Sequence, residues 1–336
     1  MIRFLQAVCS CVQDPQGKVF KIIYRETLRF ILRNMALLLS VTLHSVLMST
    51  EFFIGITVNG FLIIMSCNDL IKSRRLLLLQ ILLLCIGISR FGLQMILIVQ
   101  SLYSVFFPLA YQANIYGAKM MFFWMFFSSI SLWFATSLSI FYCLKIATFT
   151  HSCFLWLKFR ISKLILWLLL VSLLASLSTA VVCTKVELPK IDYADFFTNT
   201  TLKSATANIK NNNELLLVNL ALVLPLFIFV MCTCMLFISL YKHTHRIQNG
   251  PHSFPNAQRE AHINALRTVI TFFCFFISYF AAFMTNMTFQ ISYRSHQFFV
   301  VKDIMAAYPA GHSIIIILSN SKLQQSFRRI LCLKRK

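Results

Sequence analysis

Acidic side chains are scarce in this chain: ten Asp and Glu stand against 31 Lys and Arg among 336 residues. Charge of either sign is also sparse, at 12% against about 25% in an ordinary globular domain. Apolar residues make up 58% and mean hydropathy is +0.75, which excludes both a soluble domain and a disordered chain. Eight glycines and seven prolines are too few for a collagen-like or low-complexity design. There is no Walker A run, no GxGxxG, no HExxH and no CxxC, so the usual scaffolds for nucleotide, dinucleotide and metalloprotease chemistry are missing. Gly311-His312-Ser313 begins like a nucleophile elbow but lacks the second glycine and lies in an apolar run. His243 and His245 fall beyond the end of the apolar run that holds Cys232 and Cys234, so those four do not make a metal site. No cofactor, no metal and no enzyme activity is expected.

What the chain has instead is long apolar windows between ionisable residues. They run over 120–144, 164–184, 215–241, 268–293 and 304–321, each long enough for a membrane-crossing helix. Two more, over 42–68 and 76–103, are interrupted once each, by Glu51 and Arg90. The expectation is an all-α bundle of seven transmembrane helices over 42–321, preceded by an extension, 1–41, and followed by a basic tail, 322–336. The net charge of +21 would suggest nucleic acid in a soluble protein. Here it is loop charge that sets topology and meets membrane lipid or a cytoplasmic partner, and no nucleic acid is expected. With the N-terminus outside, the inner loops and tail collect most of the basic residues, including Lys72, Lys145, Lys242, Arg267 and Arg328. The sequon Asn199-Thr200-Thr201 then falls on the outer face, making Asn199 a glycosylation candidate.

The first 34 residues oppose this charge bias. Lys18, Lys21, Arg25, Arg29 and Arg33 fall on one helical stripe, the pattern of an amphipathic helix lying at the membrane surface. The other reading is that the native product starts at Met35 and leaves residues 1–34 out. Arg90 is the most informative single residue. An arginine well inside a span costs about 2.5–3.5 kcal/mol on insertion scales, so it must face the bundle and find partners. No carboxylate shares its depth; Asn59, Ser313 and a carbonyl near Pro309 do. Together with His312 they form the candidate interhelical lock or switch. Trp124, Ser128 and Ser131 recur on one helix face, which fits either a ligand cavity or close helix packing.

Several motifs together resemble the type 2 (bitter) taste receptor family of G protein-coupled receptors, while rhodopsin-like hallmarks such as DRY, CWxP and NPxxY are missing. Glu51-Phe52, Gly55 and Asn59-Gly60-Phe61 follow the family's EFxxGxxxNGF, and Ile88-Ser89-Arg90 follows the end of LAISR. The run from Leu132 to Ala147, LWFATSLSIFYCLKIA, is nearly the whole span-3 signature. His262-Ile263-Asn264-Ala265-Leu266 stands where the family has HxKAL, and Tyr308-Pro309 with His312-Ser313, Asn320 and Lys322-Leu323 follows the span-7 pattern. Matches run from about residue 46 to 328. Met35 lies 24 residues before Asn59, the spacing the family has there, so the resemblance favours a start at Met35.

The resemblance implies a plasma-membrane chemoreceptor whose partners are small bitter agonists and a heterotrimeric G protein. It places agonist contacts on Trp124, Ser128, Tyr279 and Lys302, with Asp303 beside Lys302 leaving the sign of the pocket open. It places the G-protein face around Tyr142, Lys145, Lys242, His243, His262 and Arg267. Gln80, Asn264 and Ser128 depart from the common family residues. A small-molecule transporter or channel is the alternative, but it predicts broken helices and internal repeats, and neither is visible. An intramembrane enzyme would need Glu51, Asp303 and His312 to converge from different helices and levels.

Overall fold

The structure, a computed structural model, describes residues 18–73, 78–112, 117–147, 152–187, 220, 222–242, 256–288 and 295–333. Among these there are helices and no strands. They are α1 (Lys18–Ser73), α2 (Leu78–Phe106), the short α3 (Pro108–Gln112), α4 (Gly117–Ile146), α5 (Ser152–Phe159) and α6 (Ile161–Glu187). After these come α7 (Leu222–Lys242), α8 (Asn256–Thr288), α9 (His296–Ser319) and α10 (Ser321–Leu333). Seven of them, α1, α2, α4, α6, α7, α8 and α9, are long and apolar enough to cross a membrane. The protein is a multi-pass membrane protein with a seven-helix bundle.

Helix is the form these apolar runs must take, because lipid offers their backbone no hydrogen bonds. Their serines and threonines are tolerated because the hydroxyls bond back to the preceding turn. Thr136 Oγ1 donates to the Leu132 carbonyl at 2.9 Å and Ser137 Oγ to that of Trp133 at 2.9 Å. Charge-free windows mark the lipid-crossing length but understate the helices. Ser295 caps α9, its hydroxyl accepting from Phe298 N at 3.1 Å, so the helix begins before Ile304 and includes both Lys302 and Asp303. In the same way, α8 starts at Asn256 rather than near Thr268. Likewise α1 runs without a break through the basic stripe from Lys18 to Arg33 and through Met35.

Lipid tails are as apolar as leucine, so close packing and interhelical polar contacts hold such a bundle together. Its centre is α4, buried continuously from Ser128 to Ser139 and packed on α2 and α6. The last span, α9, lies against α8 and closes onto α1. Two apolar layers result. One surrounds Leu93, Trp124, Phe283 and Met305, the other Leu62, Ile86, Leu138 and Ile316. Arg90 and residues 309–313 lie between them.

Gly87 sets the approach of α1 and α2. A Cβ there would lie 2.9 Å from Ile63 Cγ1 and 3.4 Å from the Asn59 carbonyl oxygen, so the two backbones ride directly on each other. Gly60, by contrast, faces open space. Gly87→Val is therefore expected to cost about 1–3 kcal/mol through overpacking, while Gly60→Ala leaves stability unchanged or slightly raised. Thermal melts of the detergent-purified protein check this; a Gly87→Val protein melting with the wild type would mean that the helices are not seated so closely.

Candidate functional site

Three sites lie along the bundle axis. At the end carrying Trp124, a cavity of about 220 Å³ is lined by Gln100, Tyr103, Met121, Trp124, Phe298 and Lys302, among others. The Lys302 ammonium stands 5.2 Å from the Trp124 ring centre and 5.9 Å from that of Phe298, and cation–π contacts of this kind are worth about 0.5–2 kcal/mol. Asp303, the next residue on α9, points elsewhere. Its carboxylate meets His44 Nδ1 at 2.5 Å, and the far nitrogen of that ring lies 3.1 Å from Ser101 Oγ. This clasp joins α1, α2 and α9. The side chain that lines the cavity is thus the lysine, and Asp303 is not among the lining residues.

Below the cavity an aromatic column descends through the bundle. Trp124 rests on Phe283 with ring centres 5.2 Å apart, Phe283 on Tyr279 at 6.1 Å, and Tyr279 on Tyr308 at 4.2 Å. The column ends at Arg90, whose guanidinium carbon is 5.3 Å from the Tyr308 ring centre. Of the four candidate ligand residues, Trp124 and Lys302 therefore line the cavity, Trp124 at its floor. Ser128 and Tyr279 lie beneath its floor, 0% and 1% exposed. Gln100, Tyr103, Tyr111 and Phe298 also line the wall, and none was singled out from sequence. Gln100 and Tyr103 carried a signal, since they recur three residues apart on one face of an otherwise apolar helix end.

At the foot of the column, Arg90 is 0% exposed. Its Nη1 donates to Ser313 Oγ at 3.0 Å, and that hydroxyl donates to Asn59 Oδ1 at 2.6 Å. Asn59 Nδ2 donates to the Gly55 carbonyl at 2.8 Å and reaches that of Pro309 at 3.4 Å. The structure thus brings Asn59, Arg90, Ser313 and the Pro309 backbone into one chain linking α1, α2 and α9. His312 is adjacent but not part of it: its ring packs against Phe272 at 3.7 Å and Tyr308 at 5.4 Å, with neither nitrogen hydrogen-bonded.

The third site is a cavity of about 310 Å³ at the opposite end, where Tyr142, Thr233, Leu240, Asn264, Phe272 and Ser319 are among the lining residues. Around it Lys145, Lys242 and Arg267 are exposed. His262 belongs to α8, while His243 and Asn199 fall outside the described residues. Lys322 of α10 holds Asp69 of α1 at 2.7 Å from both carboxylate oxygens, which fixes where α10 leaves the bundle.

The family model for taste receptor protein (TAS2R) matches residues 35–335. Taste receptor type 2 member 2 of Homo sapiens is 72% identical over 302 residues, 90% of this chain and 100% of the relative's length. Taste receptor type 2 member 9 of Pongo pygmaeus is 32% identical over 293 residues, 86% of this chain and 93% of the relative. Taste receptor type 2 member 7 of Macaca mulatta is 31% identical over 285 residues, 84% of this chain and 90% of the relative.

Ser313 is the joint of the Arg90 chain, accepting from one partner and donating to the other. Ser313→Ala is expected to lower stability by about 1–3 kcal/mol, the cost of leaving buried partners unsatisfied. Adding Asn59→Leu to it should cost less than the two single changes summed, because both break one chain. Thermal melts of the four proteins decide the point, and strict additivity would show that the contacts are not coupled.

Proposed function

Because the chain belongs to the taste receptor protein family, we propose that it is a bitter-type chemoreceptor whose agonist site is the cavity against Trp124 and Lys302. The Trp124 end then faces outward and the Tyr142 end the cytoplasm, as the distribution of basic loop residues favours. The observation that carries this reading is the aromatic column: the cavity floor connects ring by ring to Tyr308 and so to Arg90. An agonist pressing on Trp124 thereby bears on the contacts that hold α1, α2 and α9 together. It shifts the receptor only by binding one arrangement of those helices more tightly than the other.

The cavity suits a small, largely apolar or aromatic molecule. Its one lining charge among the described residues, Lys302, favours agonists that bring an acceptor or an anionic group. Ser128 and Tyr279 act from beneath the floor by supporting Trp124. At the other end, Tyr142 lines the second cavity and Lys145, Lys242 and Arg267 are exposed; these residues are the surface offered to a heterotrimeric G protein, to which the sequence adds His243 and His262. The transporter reading gains no support, since the spans run unbroken among the described residues where a transporter would show paired interrupted helices.

The test is intracellular calcium in cells carrying a promiscuous Gα and challenged with a panel of bitter compounds. Trp124→Ala removes the ring that forms the cavity floor. It is expected to raise the half-maximal agonist concentration at least about tenfold, the effect of 1.4 kcal/mol, with surface level unchanged. Unchanged potency for several agonists would place the site elsewhere. A chain begun at Met35, where the family match also begins, is expected to respond like the full chain; loss of response would assign a role to residues 1–34.

A further inference from the structure

The exposed side of α6 does not stop where the span ends. α6 packs on α4, and away from that contact Leu166, Trp167, Leu170 and Leu174 are exposed, the side a span turns to lipid. Followed back along the chain in steps of three or four residues, this stripe passes Lys163 and Arg160. It then reaches Phe159, Trp156 and Leu155 of α5, and all five are exposed. The two helices meet without a loop: Arg160 N donates to the Leu157 carbonyl at 3.1 Å, and Leu164 N to that of Arg160 at 3.0 Å. On its other side α5 is held to the last turns of α4. Phe154 and Leu157 pack with Cys143, Leu144 and Ala147, and Lys158 Nζ donates to the Ala147 carbonyl at 3.5 Å. α5 therefore stays level with the end of α4 instead of projecting from the bundle. There it presents Trp156 at 55% and Phe159 at 87% exposure, two large apolar rings that water does not favour.

Continuity and charge say what covers this face. It prolongs the lipid-facing side of α6, and a tryptophan beside cations is the composition of a membrane–water boundary. Lys163 and Lys185 bracket the charge-free run of α6 and are 22 residues apart, about 33 Å along a helix. The hydrocarbon core is about 30 Å thick, which sets Lys163 at its edge and Arg160, one turn earlier, among the headgroups. The Arg160 guanidinium carbon stands 4.8 Å from the Trp156 ring centre. Among the described residues neither Arg160 nor Lys163 forms an ion pair. We propose that Arg160 and Lys163 hold the phosphate of an anionic phospholipid, with Leu155, Trp156 and Phe159 seated among its glycerol and upper acyl groups. A guanidinium and an ammonium one helical turn apart give a phosphate charge-assisted donors from two sides. On the orientation proposed above this is the cytoplasmic leaflet, where anionic lipid resides. Only that choice of leaflet rests on the receptor reading. Bound there, the lipid ties α5, and through it the end of α4, to the bilayer surface. Its two cations are distinct from Lys145, Lys242 and Arg267.

The experiment places the full chain in phosphatidylcholine nanodiscs doped with a photoreactive phospholipid, and peptide mass spectrometry locates the crosslinks. A phosphatidylserine probe is expected to label residues 152–166 at least about tenfold more than a phosphatidylcholine probe, since each basic residue near an anionic surface contributes about fivefold. The double change Arg160→Gln and Lys163→Gln should abolish that preference while labelling elsewhere stays as it was. A second measurement needs no altered cation: Trp156 fluorescence, isolated by difference from Trp156→Phe, should be quenched by lipid brominated high on its acyl chains. Equal labelling by the two probes would overturn the proposal, as would a preference that the double change leaves intact. Quenching of Trp156 by aqueous iodide but not by brominated lipid would also overturn it and give the face to a protein partner. Neither agonist nor G protein enters these measurements, so the lipid site and the receptor reading can fail separately.

Discussion

Everything in this bundle is arranged around one buried cation. Arg90 sits where neither lipid nor water reaches it, and an arginine at such depth must be met by protein. That requirement brings Ser313 of α9 to α2, Asn59 of α1 to Ser313, and the Pro309 carbonyl to Asn59. It also places polar groups between two apolar layers that would otherwise merge. In water, burial of apolar surface drives folding; in lipid apolar surface gains little by leaving its surroundings. The polar contacts therefore select one helix arrangement among many that pack comparably well.

The proposed function uses the two ends of this arrangement. The Trp124 end holds a cavity with one lysine on its wall and an aromatic floor, and the other end holds a larger cavity rimmed by exposed lysine and arginine. Between them run Trp124, Phe283, Tyr279 and Tyr308, each ring against the next. A packed interior does not deform smoothly. Displacement at the cavity floor is therefore passed to the Arg90 region or resisted there as a whole.

Much of this was legible in the sequence, for physical reasons that differ from residue to residue. The seven spans show because lipid excludes charge. Arg90 shows because one charge inside a span is costly, and the depth of Asn59 and Ser313 follows from counting residues along helices. The start of α9 was not legible, because a window free of charge stops at Asp303, whereas the helix goes on past it. Lys302 stands over two aromatic rings and Asp303 is paired with His44, so neither charge faces lipid. The His44–Asp303 contact spans 259 residues, and periodicity carries no trace of such a pairing. Tyr111 and Phe298 were missed because a cavity wall is defined by which helices meet, and a single chain does not record that.

Three fasteners join the first span to the last elements of the chain: His44 to Asp303, Asn59 to Ser313, and Asp69 to Lys322. During synthesis α1 enters the membrane first, and its partners on α9 and α10 emerge last. Asn59 and Arg90 must therefore wait, without their Ser313 partner, until nearly the whole chain has been threaded through the translocon. The fold cannot be locked in stages from its beginning. A ribosome that stops short of α9 leaves behind helices that have crossed the bilayer but still display a bare cation to whatever quality-control machinery patrols it. Completion of the chain and closure of the bundle are one event.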